Sequence, residues 1–169
     1  MAGGFKQFGP TYNSTPYVRL GYEGILNGTH KINVTAAQNV NGELAGRFAM
    51  IDANGVAPAT SPDKAVGLFR EDLGDMINAS ERATFYFRGG EYYVNVKRTA
   101  YANGSLPAEL VVGAEITCDS EGRIKVKGTG EKALGVVTHV GQYRAGNMYE
   151  NATKGVTDTD TFIGFIMFI

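Results

Sequence analysis

The chain has 169 residues, a formal charge of −1 and 43% hydrophobic residues, which suffices for one buried core without disulfides or metals. Balanced charge with no basic run excludes an electrostatic pull towards nucleic acid or an anionic membrane. Gly accounts for 23 residues, without any low-complexity block, so many tight turns and short strands are expected rather than long helices.

Residues 1–17 mix Gly, Pro and aromatics without periodicity. They read either as a frayed terminus or as an extended arm whose Phe5, Phe8, Tyr12 and Tyr17 lie in a groove on a neighbour. Met1-Ala2-Gly3-Gly4 leads into a polar stretch and not an apolar one, so no signal peptide is expected and the protein is read as soluble and made in a cytoplasm. Asn27-Gly28-Thr29-His30 reads as a solvated turn.

A repeat begins near Leu44. Gly46, Asp52, Gly55 and Lys64-Ala65-Val66-Gly67 recur about 67 residues later as Gly113, Asp119, Gly122 and Lys132-Ala133-Leu134-Gly135. In the first copy Leu44 to Ile51 predicts a strand, and Asp52-Ala53-Asn54-Gly55 a turn, with Asp52 accepting backbone N–H groups and Gly55 taking the left-handed position. Val56 to Thr60 returns, and Ala65 to Phe69 forms a further strand. The second copy runs Leu110 to Cys118, turns at Asp119 to Gly122, alternates through Ile124 and Val126, and returns over Ala133 to Val140. Alternation of Ile124 and Val126 with Arg123, Lys125 and Lys127 predicts one buried and one wet face.

Between the copies, Glu71 to Asn78 predicts a short helix with Leu73, Met76 and Ile77 on one face. Ala83 to Phe87 and Glu91 to Lys97 predict a second hairpin, rich in Tyr and Phe, around Arg88-Gly89-Gly90. Thr161 to Ile169 is apolar on both faces, so it is either a central strand or one added to another subunit. Its apolar run, Phe162 to Ile169, covers eight residues and is too short to span a bilayer. The fold class is therefore mainly β: a barrel- or sandwich-like domain over 18–169 with an internal duplication (units near 44–69 and 111–137), an arm at 1–17, and one or two short helices at most.

Chemistry-bearing motifs are few. The loop Gly128-Thr129-Gly130-Glu131 superficially suggests a phosphate cradle, but it feeds the β-branched run Leu134-Gly135-Val136-Val137 and not a helix, so a hairpin loop is expected. With two histidines, His30 and His139, and one cysteine, Cys118, no zinc site of the usual ligands assembles. A Cys118–His139 nucleophile pair is weakened by the apolar setting of Cys118, which reads as a small core residue. No catalytic, cofactor or metal residues are nominated. Six Asn-x-Ser/Thr sites, at Asn13, Asn27, Asn33, Asn78, Asn103 and Asn151, read as polar exposed turns.

The second copy, Gly113-x5-Asp119-x2-Gly122, a polar loop, then Ala133-Leu134-Gly135-Val136-Val137, resembles capsid decoration (cement) proteins of tailed bacteriophages. The first copy matches more loosely through Ala65-Val66-Gly67-Leu68-Phe69. The resemblance implies a non-enzymatic virion protein on the outer capsid surface that braces the major capsid protein, commonly as a trimer. Phe5, Phe8, Tyr12, Tyr17, Phe162, Phe165 and Phe168 are the candidate assembly residues, and Asp52, Gly55, Asp119 and Gly122 set the turns. Rival expectations are another virion component (tail tube, head-fibre base or shell protein) or a small-ligand-binding β-barrel.

Overall fold

The computed structural model describes residues 18–20, 25–31, 44–70, 82–87, 89–102, 105–142 and 161–169. Eleven strands lie among them: β1 Val18–Leu20, β2 Ile25–Lys31, β3 Phe48–Asp52, β4 Gly55–Pro58, β5 Gly67–Phe69, β6 Arg82–Tyr86, β7 Gly90–Asn95, β8 Glu115–Cys118, β9 Ile124–Val126, β10 Gly135–Gln142 and β11 Thr161–Met167. They form two sheets, β2-β6-β5-β3-β4 and β1-β7-β11-β10-β8-β9. All pairings are antiparallel. The only helical elements among the described residues are 3-10 turns at Pro62–Lys64 and Val96–Arg98. The protein is mainly β and sandwich-like.

The duplication is larger than the repeat visible in the sequence. β2 to β6 and β7 to β11 are two five-strand units with the same internal order, first-fifth-fourth-second-third, and β1 is an added edge strand beside β7. The register repeats as well. Phe48 opposes Leu68 and Ala49 opposes Gly67, as Glu115 opposes Val136 and Ile116 opposes Gly135. Phe69 opposes Phe85, as Val137 opposes Phe165. Hydrogen bonds outside the ladders recur too: Gly46 N–H to the Phe69 carbonyl at 2.9 Å matches Gly113 N–H to Val137 at 2.8 Å. Val66 N–H to Ala49 matches Leu134 N–H to Ile116, both at 2.8 Å.

Gly67 and Gly135 show why those positions are glycine in both units. A Cβ on Gly67 would lie 2.2 Å from the Tyr86 carbonyl oxygen and 2.7 Å from the Phe85 ring. On Gly135 it would lie 2.5 Å from the Ile166 carbonyl oxygen and 3.1 Å from the Phe165 ring. The same pair of atoms, one strand over, forbids a side chain each time.

The two units stack head to tail. The front face of the first sheet carries Phe48, Leu68 and Tyr86, and the back carries Ala49, Phe69 and Phe85. In the second unit the equivalent front positions are Glu115, Val136 and Ile166, and the back positions are Ile116, Val137 and Phe165. The main core joins the front of the first sheet to the back of the second. Phe48 and Phe165 have ring centroids 6.2 Å apart, and Tyr86 and Tyr92 5.2 Å. Each such side chain, fully buried, contributes about 1.5–3 kcal/mol before ordering costs. The back of the first sheet forms a second buried cluster of Leu44, Ala49, Val56, Phe69 and Phe85.

Several expectations need correction. The Tyr- and Phe-rich segment is no hairpin, because β6 belongs to the first sheet and β7 to the second. Tyr86 and Tyr92 meet across the core instead of along a shared ladder. The first predicted strand begins at Phe48 and not Leu44, since Arg47 N–H donates to the Leu44 carbonyl at 3.0 Å and closes a turn. Asn27 to His30 lie within β2, which absorbs them by a register shift between Leu26 and His30. Thr161 to Met167 is a central strand between β7 and β10. The predicted arm at 1–17 and the helix at Glu71 to Asn78 lie outside the described residues.

Candidate assembly surface

Both predicted turns use the same Asp chemistry. Asp52 Oδ1 accepts the N–H groups of Asn54 (2.7 Å) and Gly55 (3.1 Å), and Asp119 Oδ1 those of Glu121 (2.9 Å) and Arg123 (2.8 Å). The second loop is one residue longer, and this gives Gly122 a separate task. Gly122 sits at φ 75° with its carbonyl accepting the Phe48 N–H at 2.7 Å. A Cβ there would meet the Phe48 carbonyl oxygen at 2.4 Å. The tip of one unit is thus fastened to β3 of the other.

The outward surface is the front of the second sheet. One row crosses four strands, Glu91–Ile166–Val136–Glu115, each residue directly opposite the next. Lys127 continues it: its N–H donates to the Glu115 carbonyl at 2.9 Å, and its Nζ pairs with the Glu115 carboxylate at 2.7 Å. In the first unit the corresponding row is Tyr86, Leu68, Phe48 and Ala59, all in the main core. Here the two middle positions stay apolar while the ends are charged, the anatomy of an interface centre with a polar rim. Ile166 is 43% exposed, Phe168 55% and Val112 67%.

Beside the row, Glu91 Oε1 accepts the Tyr93 hydroxyl at 2.7 Å and the Thr138 hydroxyl at 3.0 Å. A β-bulge between Val137 and His139 turns Thr138 towards Glu91, and Gly164 leaves room for the Tyr93 ring, which a Cβ would approach to 2.5 Å. The Tyr93 and His139 rings meet edge-on at 6.5 Å. With two hydroxyl donors on one oxygen, Glu91 is an oriented acceptor and a fixed negative end to the row.

Cys118 lies on the back of β8 in the core, while His139, opposite Gly164, lies on the front of β10, so the sheet separates them. Burial first, then the neighbouring Asp119 carboxylate, pushes the Cys118 thiol up to about 12, which keeps it protonated and unreactive at neutral pH. The Gly128 loop is closed by its own acid: Glu131 accepts the Gly128 N–H at 2.7 Å and pairs with Lys125 Nζ at 2.6 Å. The Lys125 hydrogen bond and the Gly128 N–H hold the Glu131 carboxyl below its ordinary value. No group of three or more His, Cys, Asp or Glu side chains suited to a metal occurs among the described residues.

Of the residues nominated from sequence, Phe5, Phe8, Tyr12 and Tyr17 lie outside the described residues. Phe165 is fully buried in the intersheet core, and Phe162, on the front face, is 3% exposed. Phe168 is the nominated aromatic that reaches solvent, beside Ile166. Sequence reasoning passed over Glu91, Val112, Val136 and Ile166. Aligning the copies offers a signal, because Phe48 of the first becomes Glu115 in the second, marking that face as wet.

No protein-family model matches this chain, and no curated protein matches it either.

Proposed function

We propose that this chain is a non-enzymatic structural protein of a tailed-phage particle, which binds the outer capsid surface and braces contacts between major capsid subunits. The observation that carries this reading is the apolar pair Ile166, 43% exposed, and the half-buried Val136, bordered by Glu91, Glu115 and Lys127, where the corresponding positions of the first unit lie in the main core. Such a face is built to dock on protein. The likeness of Gly113 to Val137 to capsid decoration proteins supplies the setting. A net charge of −1 keeps many copies on one shell from repelling each other, so that weak contacts add by avidity.

The test is the copy number of this chain in purified particles from its source, measured against the major shell protein by quantitative mass spectrometry. A ratio near one, or one per few shell subunits, is expected. Absence from the particle refutes the reading, and a handful of copies moves the protein to a tail or vertex.

A further inference from the structure

We infer that Asn54 is a self-modification site: its side chain closes onto the Gly55 nitrogen and reopens as aspartate or isoaspartate, at a pace set by Asp52. This goes beyond the virion reading and does not depend on it.

Asn-Gly pairs begin at Asn27, Asn41, Asn54 and Asn103. Asn27-Gly28 is held inside β2, while Asn41 and Asn103 lie outside the described residues. Asn54-Gly55 closes the β3–β4 hairpin. Asp52 pairs with Gly55, so Ala53 and Asn54 form the whole loop, and both are exposed. Gly55 adopts φ 133°, a conformation that favours glycine. The turn therefore selects the one residue that leaves its backbone nitrogen unshielded by a Cβ, and it does so directly after an exposed asparagine.

In the first step the Gly55 nitrogen loses its proton to solvent base and attacks Asn54 Cγ. A new N–Cγ bond forms, and the Cγ–Nδ2 bond breaks as Nδ2 takes up a proton and leaves as ammonia. Water then opens the five-membered imide at either carbonyl. Cleavage of the N–Cγ bond leaves aspartate at position 54. Cleavage of the backbone C–N bond leaves isoaspartate, whose main chain runs through Cβ and Cγ. Either product places a second carboxylate beside Asp52, and isoaspartate also lengthens a two-residue loop by one main-chain atom.

Asp52 restrains this reaction. Its Oδ1 accepts the N–H groups of Asn54 at 2.7 Å and Gly55 at 3.1 Å. The Gly55 nitrogen must shed that hydrogen before it attacks, and a carboxylate that binds the N–H holds it in place. The same negative charge disfavours the amide anion. In the second unit Asp119 holds its turn in the same way, but Glu121 stands before Gly122, and its side chain has no amide to lose.

The experiment is peptide mapping by mass spectrometry of the full chain held at pH 8, folded and in denaturant, with aspartate and isoaspartate separated by chromatography. Asn54 is expected to convert in the folded protein, mainly to isoaspartate. Its rate should be about tenfold below that of the unfolded chain, the effect of opening a hydrogen bond to a charged group. Asp52→Ala should bring the folded rate up to the unfolded one. Asp52→Asn, whose neutral oxygen still accepts N–H groups, should give an intermediate rate and carries the test if the alanine variant does not fold. Asp119→Ala removes the matching acceptor from the other hairpin and should leave the Asn54 rate unchanged. An Asn54 that stays intact in the folded protein while converting in denaturant overturns the site. A folded rate equal to the unfolded one, a rate unchanged in both Asp52 variants, or an equal rise in Asp119→Ala overturns the role of Asp52.

Discussion

Replacing Gly67 with alanine tests the close approach on which the duplicated register rests. The new Cβ would lie 2.2 Å from the Tyr86 carbonyl oxygen and 2.7 Å from Phe85 Cδ2. Relief requires β5 and β6 to part by about 1 Å, because non-bonded heavy atoms settle near 3.5 Å. β5 is three residues long and bonded to β6 through Leu68–Tyr86 and Phe69–Phe85, so the shift weakens its ladder and lifts Leu68 and Phe69 out of two clusters. Overpacking of about 1–3 kcal/mol and about 1 kcal/mol for a strained hydrogen bond give a loss near 3 kcal/mol. For a chain of this size that lowers Tm by about 6–12 °C. Gly135→Ala, with its shortest approach 2.5 Å, should lose about 2 kcal/mol by the same reasoning. Gly130→Ala is the control: nothing lies within 4 Å, and only its φ of 79° is unfavourable, at about 1 kcal/mol. Thermal melts by circular dichroism read all three. A Gly67→Ala protein melting within about 2 °C of wild type, less than 1 kcal/mol of destabilisation, refutes the close approach and the register equivalence with it.

Two further outcomes are expected. Gly122→Val combines a left-handed φ with a Cβ 2.4 Å from the Phe48 carbonyl oxygen, so it should destabilise by about 2–4 kcal/mol and lower the melting temperature; an unchanged melt would remove the fastening of that loop to β3. Cys118 should resist a thiol reagent at pH 8 until the chain is unfolded in denaturant. Its pKa is raised from 9.0 to about 12, so its contribution is fully present below pH 9.0 and is lost as pH rises towards 12. A Cys118→Val protein should therefore lose less stability across that alkaline window, and rapid labelling of the native protein would contradict the buried placement.

Local chemistry was legible from the sequence. Asp52 and Asp119 form the two turns because a short carboxylate two residues before an amide accepts it wherever the chain turns. The Lys-Ala-x-Gly runs lead into β5 and β10, and the apolar period-two pattern around Ile124 produced a strand. The sandwich class followed from short runs separated by turn residues. The candidate assembly face was legible only in part: Phe168 was nominated and is exposed, but Phe165, chosen from the same apolar segment, is core.

What sequence alone determined, then, was which segments extend, where they turn, and that the unit occurs twice, because those depend on neighbours a few residues apart. Which strands pair and which faces meet was decided only in three dimensions. β6 and β7 follow one another in the chain yet enter different sheets, and Tyr86 and Tyr92 meet across the core with ring centroids 5.2 Å apart. A front face buried in one unit and exposed at Ile166 in the other is marked locally only where Phe48 gives way to Glu115, because burial is otherwise set by what the opposite layer supplies.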